Sequence, residues 1–361
     1  MTPASLPADS PSPTIAEIAR QAGVGTATVD RVLNGRAGVH ADTALKVRKI
    51  IEASGGGKAI ARGRPRHSSS SGSAANLRFA FVLPAGQAPF LSLLERQIAQ
   101  SASEFRHQHI TEVTHTLEAS DAAEFAASLA ALHNYDGIAL MAPDMPPVKL
   151  AINALVRAGV QVVTLFSDVA GSKRAVYVGC DNRAAGRTAG LLLGRMAGKQ
   201  TATLLLASQA TRLSGEIDRR IGFAQVIEER FAHLRVQRTP DLPEDPLQAE
   251  QVLTDWFASG ACDVNAVAGL YNVGSATLGV VAAVQAFDGG SGWSIPIVAH
   301  DFSDAHRHLL EQGALAYVLA QDIHYCVQSA AKVLQALCGN VRGAIDAVPP
   351  RIEILTAENL H

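Results

Sequence analysis

Six residues in the sequence combine side-chain type and position in a way that suits gripping a polyhydroxylated molecule. Asp168 follows the apolar run VVTLFS, Asn272 follows AVAGLY, Asp301 follows IPIVAH and Gln321 follows LAYVLA. Phe90 comes just after the run LRFAFVLP, and Arg219 stands three residues before Gly222 in RRIGF. Carboxylates and amides exchange hydrogen bonds with vicinal hydroxyls, a guanidinium bridges two oxygens, and an aromatic ring covers a C–H face. Each position also has a plainer role: an Asp after a strand commonly caps the next helix, and Phe90 suits an ordinary core. His300, beside Asp301, is placed with the same group. His306 and His308 read as solvated helix residues, and Asp181 and Asn182 as a helix cap next to a hinge.

Covalent or redox chemistry finds no support in the motifs. There is no G-x-S-x-G, no H-E-x-x-H and no G-x-G-x-x-G after a strand. The stretch GRMAGKQT, residues 194–201, superficially resembles a phosphate loop, but its glycines are one residue too close and Thr201 is one residue too far from Lys199. It reads as a helix C-terminus. The twelve histidines show no metal-ligand spacing. The expectation is therefore a protein that is not an enzyme and needs no cofactor or metal.

The elements that would position these residues alternate strictly. From Leu77 the runs LRFAFVLP, ITEVTHTL, GIALMAP, VQVVTLFS, TATLLLA, NAVAGLYN, PIVAHDF and AYVLAQD read as strands, most of them apolar on both faces, with helical patterns between them. That signature belongs to parallel sheets covered by helices on both sides. The fold class expected is α/β, with a small helical head before a body long enough for two such sheets. Ligands in such sheets bind at the carboxyl ends of the strands, where Asp168, Asn272, Asp301 and Gln321 stand.

Composition agrees with a folded protein. Of 361 residues 48% are hydrophobic and 18% charged, which argues against wholesale disorder. Cys180, Cys262, Cys326 and Cys338 form no C-x-x-C pair and read as free thiols of a reducing compartment. The opening MTPASLPADSPS lacks the features of a signal peptide, and no apolar run reaches the ~20 residues of a membrane span. A cytoplasmic protein without a membrane partner is expected. Net charge is −2, but residues 13–66 hold ten Lys or Arg against four Asp or Glu. That segment is +6 and the remainder −8, so a polyanion partner is expected for the head alone.

The head, residues 13–54, reads as three short helices. Thr14 and Glu17 have capping-box spacing before the apolar face Ile15, Ile18, Ala19 and Ala22, and Gly23 ends that helix. A second helix carries Val29, Val32 and Leu33. A third, about Ala41–Ala53, buries Leu45 or Ala44 with Val47, Ile50 and Ile51. Two helices joined by a glycine turn with a third closing the core make a helix-turn-helix unit, although a plain three-helix bundle would share the pattern. The second helix leaves Thr26, Ala27, Asp30 and Arg31 off its apolar stripe, at the end where a recognition helix meets base edges. Residues 1–12 read as a disordered tail and 55–76 as a basic Gly/Ser linker.

The stretch TIAEIARQAGVGTATVDRVLNGRAGVHADTALKV resembles the DNA-binding domain of lactose-repressor (LacI/GalR-type) regulators, through its A-x-x-A-G-V…T-V-x-R-V-L-N core. The resemblance implies that Thr26 and Ala27 occupy base-reading positions and that Arg31 reaches a base edge, most naturally guanine. It implies that Thr28 and Asn34 meet the DNA backbone. Ile60 would be the apolar wedge of a hinge, and Thr14 completes the candidate DNA-binding set. Asp30 stands where the family usually has Ser, and GGGKAIARGRPRH replaces the usual hinge, so a flexible basic tether is the alternative there. The body, residues 77–361, resembles the sugar-type periplasmic binding-protein fold, with landmarks VVTLFSD, YVGCDNRAAGRTAG and AQDIHYCVQSAAKVL. This implies one lobe of about 77–180 and 322–349, a second of about 181–321 and 350–361, and ligand contacts at Phe90, Asp168, Arg219, Asn272, Asp301 and Gln321. The expected function is a ligand-responsive regulator, a repressor controlled by a sugar or polyol, acting on double-stranded operator DNA as a homodimer. The alternative is a solute-binding protein for transport or chemosensing.

Overall fold

In the computed structural model, residues 15–25, 28–29, 32, 39–53, 76–86, 88–288, 294–339 and 348–360 are described. The chain divides into two compact units, residues 1–75 and 76–361. Among the described residues no helix is long and apolar enough to cross a membrane.

In the first unit, helices α1 (Ile15–Ala22) and α2 (Ala41–Ala53) share a core of Ile18, Ala19, Ala22, Val29, Val32 and Val47. Thr28, Val29 and Val32 are themselves helical. Gly23, at φ +67°, lets the chain reverse after α1. Its N–H donates to the Arg20 carbonyl, and that of Val24 to the Ala19 carbonyl. The two bonds form a Schellman motif, which needs a residue that tolerates the left-handed region. Of the alternatives for α2, Ala44 packs inward and Leu45 is exposed, because Val47 and Ile50 already define the inner face.

The second unit holds two sheets. The first comprises β1 (Leu77–Pro84), β2 (Ile110–Leu117), β3 (Gly137–Leu140), β4 (Gln161–Leu165) and β5 (Tyr177–Val178), in the order β2-β1-β3-β4-β5, all parallel. The second comprises β6 (Ala202–Ala207), β7 (Leu234–Arg238), β8 (Val267–Asn272), β9 (Ile297–His300), β10 (Tyr317–Ala320) and β11 (Glu353–Leu355). Its order is β11-β10-β9-β8-β6-β7, parallel except for the antiparallel edge strand β11. The intervening helices are α3 (Pro89–His107), α4 (Ala122–Ala130), α5 (Pro146–Arg157), α6 (Asn182–Met196), α7 (Ser214–Arg230), α8 (Pro246–Ala258), α9 (Thr277–Asp288), α10 (Asp304–Glu311) and α11 (Ile323–Cys338). GRMAGKQT spans the end of α6 and the turn to β6, with Gly198 at φ +73°.

Local chemistry sets these elements. Asp121, Asp181, Asp245, Ser303 and Asp322 cap the N-termini of α4, α6, α8, α10 and α11 by accepting backbone N–H bonds. Helices α3, α5 and α8 start on proline, whose fixed φ suits a first turn. The first sheet buries Phe79, Phe81 and Leu83 on one face, and α11 returns from the second lobe to cover them with Val327, Ala331 and Leu334. Phe125, Leu129, Ile152 and Leu155 cover the other face. The second sheet lies between one core around Leu253, Val280 and Leu310 and another around Leu193, Phe223 and Tyr271.

Helices α6 and α7 meet at reciprocal glycines. A Cβ on Gly186 would overlap the Arg219 carbonyl, and one on Gly222 would overlap the Arg183 carbonyl. Backbone therefore packs on backbone, which only glycine permits, and the main chain of Arg219 is held against α6.

Candidate ligand cleft and DNA-binding head

Strand order reverses beside β1 in the first sheet and beside β6 in the second, and loops diverge at such points to leave a crevice. Here the two crevices face each other and form one cavity of about 370 Å³ between the lobes. Pro84, Ala85, Ala88–Leu91, Leu93, Ala119, Ser120, Met141, Pro143, Phe166 and Ser167 line it from the first lobe, and Gln209–Leu213, Gly215, Glu216, Arg219, Glu244, Gly274, Ser275, His300, Asp301, Ser303 and His306 from the second. The lobes also touch directly. The Asp144 N–H donates to the Arg212 carbonyl (2.9 Å), and the Ser214 hydroxyl donates to the Asp168 carbonyl (2.7 Å).

Arg219 is the centre of the polar wall. It is buried, and its Nη1 lies 3.3 Å from Asp301 Oδ2. Its Nε donates to Asn182 Oδ1 (2.8 Å) and Nη1 also to the Val273 carbonyl (3.4 Å). Burial alone would favour a neutral group, but the Asp301 carboxylate, together with the other acidic groups around the side chain, outweighs it and holds the guanidinium charged. Asp301 reaches this position because its φ is +61° just after β9. Phe166 has φ +59° just after β4, the matching place in the other lobe. Non-glycine residues seldom adopt that region, and they concentrate at functional sites. Phe90 meets Phe166 edge to face, with ring centroids 5.1 Å apart.

Of the six ligand residues expected from sequence, Phe90, Arg219 and Asp301 line the cavity and the other three do not. Asp168 accepts from Arg174 Nε and Nη2 at 2.6 Å each, from Thr164 Oγ1 at 2.7 Å and from its neighbour's N–H. Burial would raise its pKa, but these donors hold it low, and its oxygens are occupied. Asn272 is fully buried and bonds the Gly274 carbonyl and Thr277 Oγ1, shaping the turn after β8. Gln321 accepts from the Cys180 N–H at 3.2 Å and so ties together two of the segments that pass between the lobes.

His306 is also corrected. It is buried, bonded to Ser303 and Thr277, and lines the cavity with His300. Burial lowers the pKa of both imidazoles, so both are neutral near pH 7. Asp181 caps α6, and Asn182 bonds the Phe166 carbonyl, the Tyr177 hydroxyl and Arg219. Cys180 is a free buried thiol, pushed up to about 11 by burial.

Sequence reasoning missed Glu216 and Gln209. Glu216 stands one turn before Arg219 on α7, so the i,i+3 spacing was an available signal. Burial pushes its carboxyl up to about 7, and its Oε2 has no hydrogen-bond partner among the described residues. Gln209 bonds Ser275 through both ends of its amide and fixes the β8–α9 turn. Among the described residues no cluster of His, Cys, Asp and Glu could hold a metal ion.

In the head, Thr28 is half-buried and its N–H donates to the Gly25 carbonyl (2.9 Å). Thr14, Thr26, Ala27, Arg31, Asn34 and Ile60 lie outside the described residues.

Residues 79–340 match the family model of a periplasmic binding protein domain, and residues 14–55 match that of bacterial regulatory proteins of the lacI family. No curated protein matches the chain in sequence. Among solved structures, the chain is similar to a glucose-galactose binding protein from Geobacillus stearothermophilus, with 18% identity over 80% of this chain and 99% of that one and a TM-score of 0.67. It is similar to a protein assigned as a LacI transcriptional regulator from Bacteroides fragilis, with 17% identity, 79% and 98% coverage and a TM-score of 0.68. It is also similar to a solute-binding protein from Burkholderia graminis in complex with D-arabinose, with 17% identity, 80% and 98% coverage and a TM-score of 0.68. At these identities the likeness concerns the fold. The head matches a model of regulators and the body a model of ligand-binding lobes, so the chain belongs to the lacI family of bacterial regulatory proteins, with a periplasmic binding protein domain as its body.

Proposed function

We propose that the protein is a repressor whose hold on operator DNA is set by a sugar or related polyol in the interlobe cleft. The observation that carries this is the Arg219–Asp301 pair, buried at a cavity between two strand-end crevices. A polyol would exchange hydrogen bonds with both partners, and its binding would favour one arrangement of the lobes. The shift in DNA affinity equals the ligand's preference for that arrangement. Thr14, Thr26, Ala27, Thr28, Arg31, Asn34 and Ile60 form the DNA-contacting set, and a homodimer would place two heads on a near-palindromic site.

Fluorescence anisotropy with the protein's own promoter fragment, at low and moderate salt and with a sugar panel, tests this. Binding should weaken steeply with salt, and one sugar class should change it. Arg31→Ala should lose ~1–3 kcal/mol of discrimination at one base pair. No binding at low salt, with or without sugars, would refute the proposal. Exported protein that binds sugar but no DNA would favour the solute-binding alternative.

A further inference from the structure

The two walls of the cleft occupy equivalent places in two copies of one topology, yet their chemistry differs. Among the described residues, the first-lobe wall carries no charged side chain, and its polar side chains are two serines. One of these, Ser167, already bonds Ser214 and the Gly215 N–H. The backbone N–H groups of Met141 and Phe166 on that wall already donate to the Val82 and Val178 carbonyls. The residue after the fourth strand is Phe166 in one lobe and Asp301 in the other, both in the left-handed region. The second-lobe wall holds Arg212, Arg219, Glu216, Glu244 and Asp301.

An evenly hydroxylated sugar between these walls would turn some hydroxyls toward Phe90, Leu91, Met141 and Phe166. Hydroxyls stripped of water without a partner weaken binding. A ligand with one apolar side avoids that loss and gains from covering the wall. On the opposite wall, the Oε2 of Glu216, unpartnered among the described residues, calls for a donor on the ligand's polar side.

We infer that the cleft takes a two-faced ligand: a donor-rich polar head held by Glu216, Arg219 and Asp301, and a flat apolar group laid against the Phe90–Phe166 corner and Met141. The ligand class concerns the same cleft and so rests on the regulatory reading above. The cavity of about 370 Å³ lies toward the lower end of the range of small-molecule sites, so the apolar group expected is a single ring.

Calorimetric titration of the full chain with D-glucose, D-galactose and D-arabinose, each beside its phenyl glycoside, tests this. At least one phenyl glycoside should bind about tenfold or more tighter than its parent sugar, the increment expected for burying a ring face. Met141→Asn should reduce that ratio to less than about threefold. Phe90→Ser should do the same, and melting temperatures would verify that each variant folds. Glu216→Gln should weaken the glycoside and any parent sugar that binds by a similar factor and leave their ratio intact. Parent sugars binding as tightly as their glycosides, or a ratio unmoved by both wall variants, would overturn the two-faced ligand and leave the polyol reading standing. If neither series binds, the two-faced ligand falls, and the polyol reading is judged separately by the promoter-binding panel.

Discussion

Replacing Asp301 with Asn tests the polar wall most directly. The carboxylate and Arg219 are 3.3 Å apart, with side chains 17% and 8% exposed. At an effective dielectric constant of about 20, two unit charges at that separation attract by roughly 5 kcal/mol before desolvation is counted. Asn tolerates the positive φ of position 301, so backbone strain changes little and the loss is chiefly electrostatic. Arg219 would keep its bonds to Asn182 and Val273 but lose its counter-charge. Breaking one side of a buried pair costs about 3–5 kcal/mol, and retention of the two neutral bonds places the expectation near the lower end, at ~3 kcal/mol. At about 2–4 °C per kcal/mol for a body of this size, the melting temperature should fall by roughly 6–12 °C. A double-mutant cycle with Arg219→Met isolates the pair. Because the double variant removes both charges, it should be more stable than the sum of the single losses predicts by at least ~2 kcal/mol. Urea denaturation of the four proteins supplies the energies. Strict additivity, or Asp301→Asn within ~0.5 kcal/mol of the parent, would refute the assignment of Asp301 as the charge that keeps Arg219 in the cleft.

Three further outcomes follow from the geometry. Glu216 has its carboxyl raised by burial to about 7 from an ordinary 4.5, so the folded protein binds more protons than the unfolded chain between those values. Its contribution is present at pH 4.5 and is lost as pH rises through 7, by up to ~3 kcal/mol, and Glu216→Gln should flatten that part of the denaturation profile. Gly186→Ala and Gly222→Ala should each cost ~1–3 kcal/mol or more by forcing α6 from α7, and both should weaken ligand binding through Arg219, read by urea titration and calorimetry. Cys338 is partly exposed while Cys180, Cys262 and Cys326 are buried, so one thiol per chain should react rapidly with an aromatic disulfide in native buffer and four after unfolding.

The architecture was legible because strands apolar on both faces alternate with amphipathic helices, a pattern with few topological solutions. The place of the cleft followed, since strand ends at a reversal of strand order are the open positions. Which residue past a strand reaches the cavity was not legible. Asp301 enters because the first residue after β9 is left-handed, whereas Asp168, three residues past the end of β4, turns back to Thr164 and Arg174. No local pattern announces an ion pair six residues apart across a loop. His306 escaped because a helical histidine three residues after a serine looks solvated until Thr277 is known to face it. Glu216 shared a helix face with Arg219 and could have been read from that spacing.

The glycine contact between α6 and α7 bears on how a force would travel. With no side chains cushioning the two backbones, a pull on the Arg219 guanidinium cannot be absorbed by rotamer changes between the helices. It passes to α6 as to a lever arm. The near end of that lever is Asp181–Asn182, directly after the Cys180 passage that Gln321 clasps. A molecule tugging one nitrogen in the cavity would thus exert torque on the pivot itself.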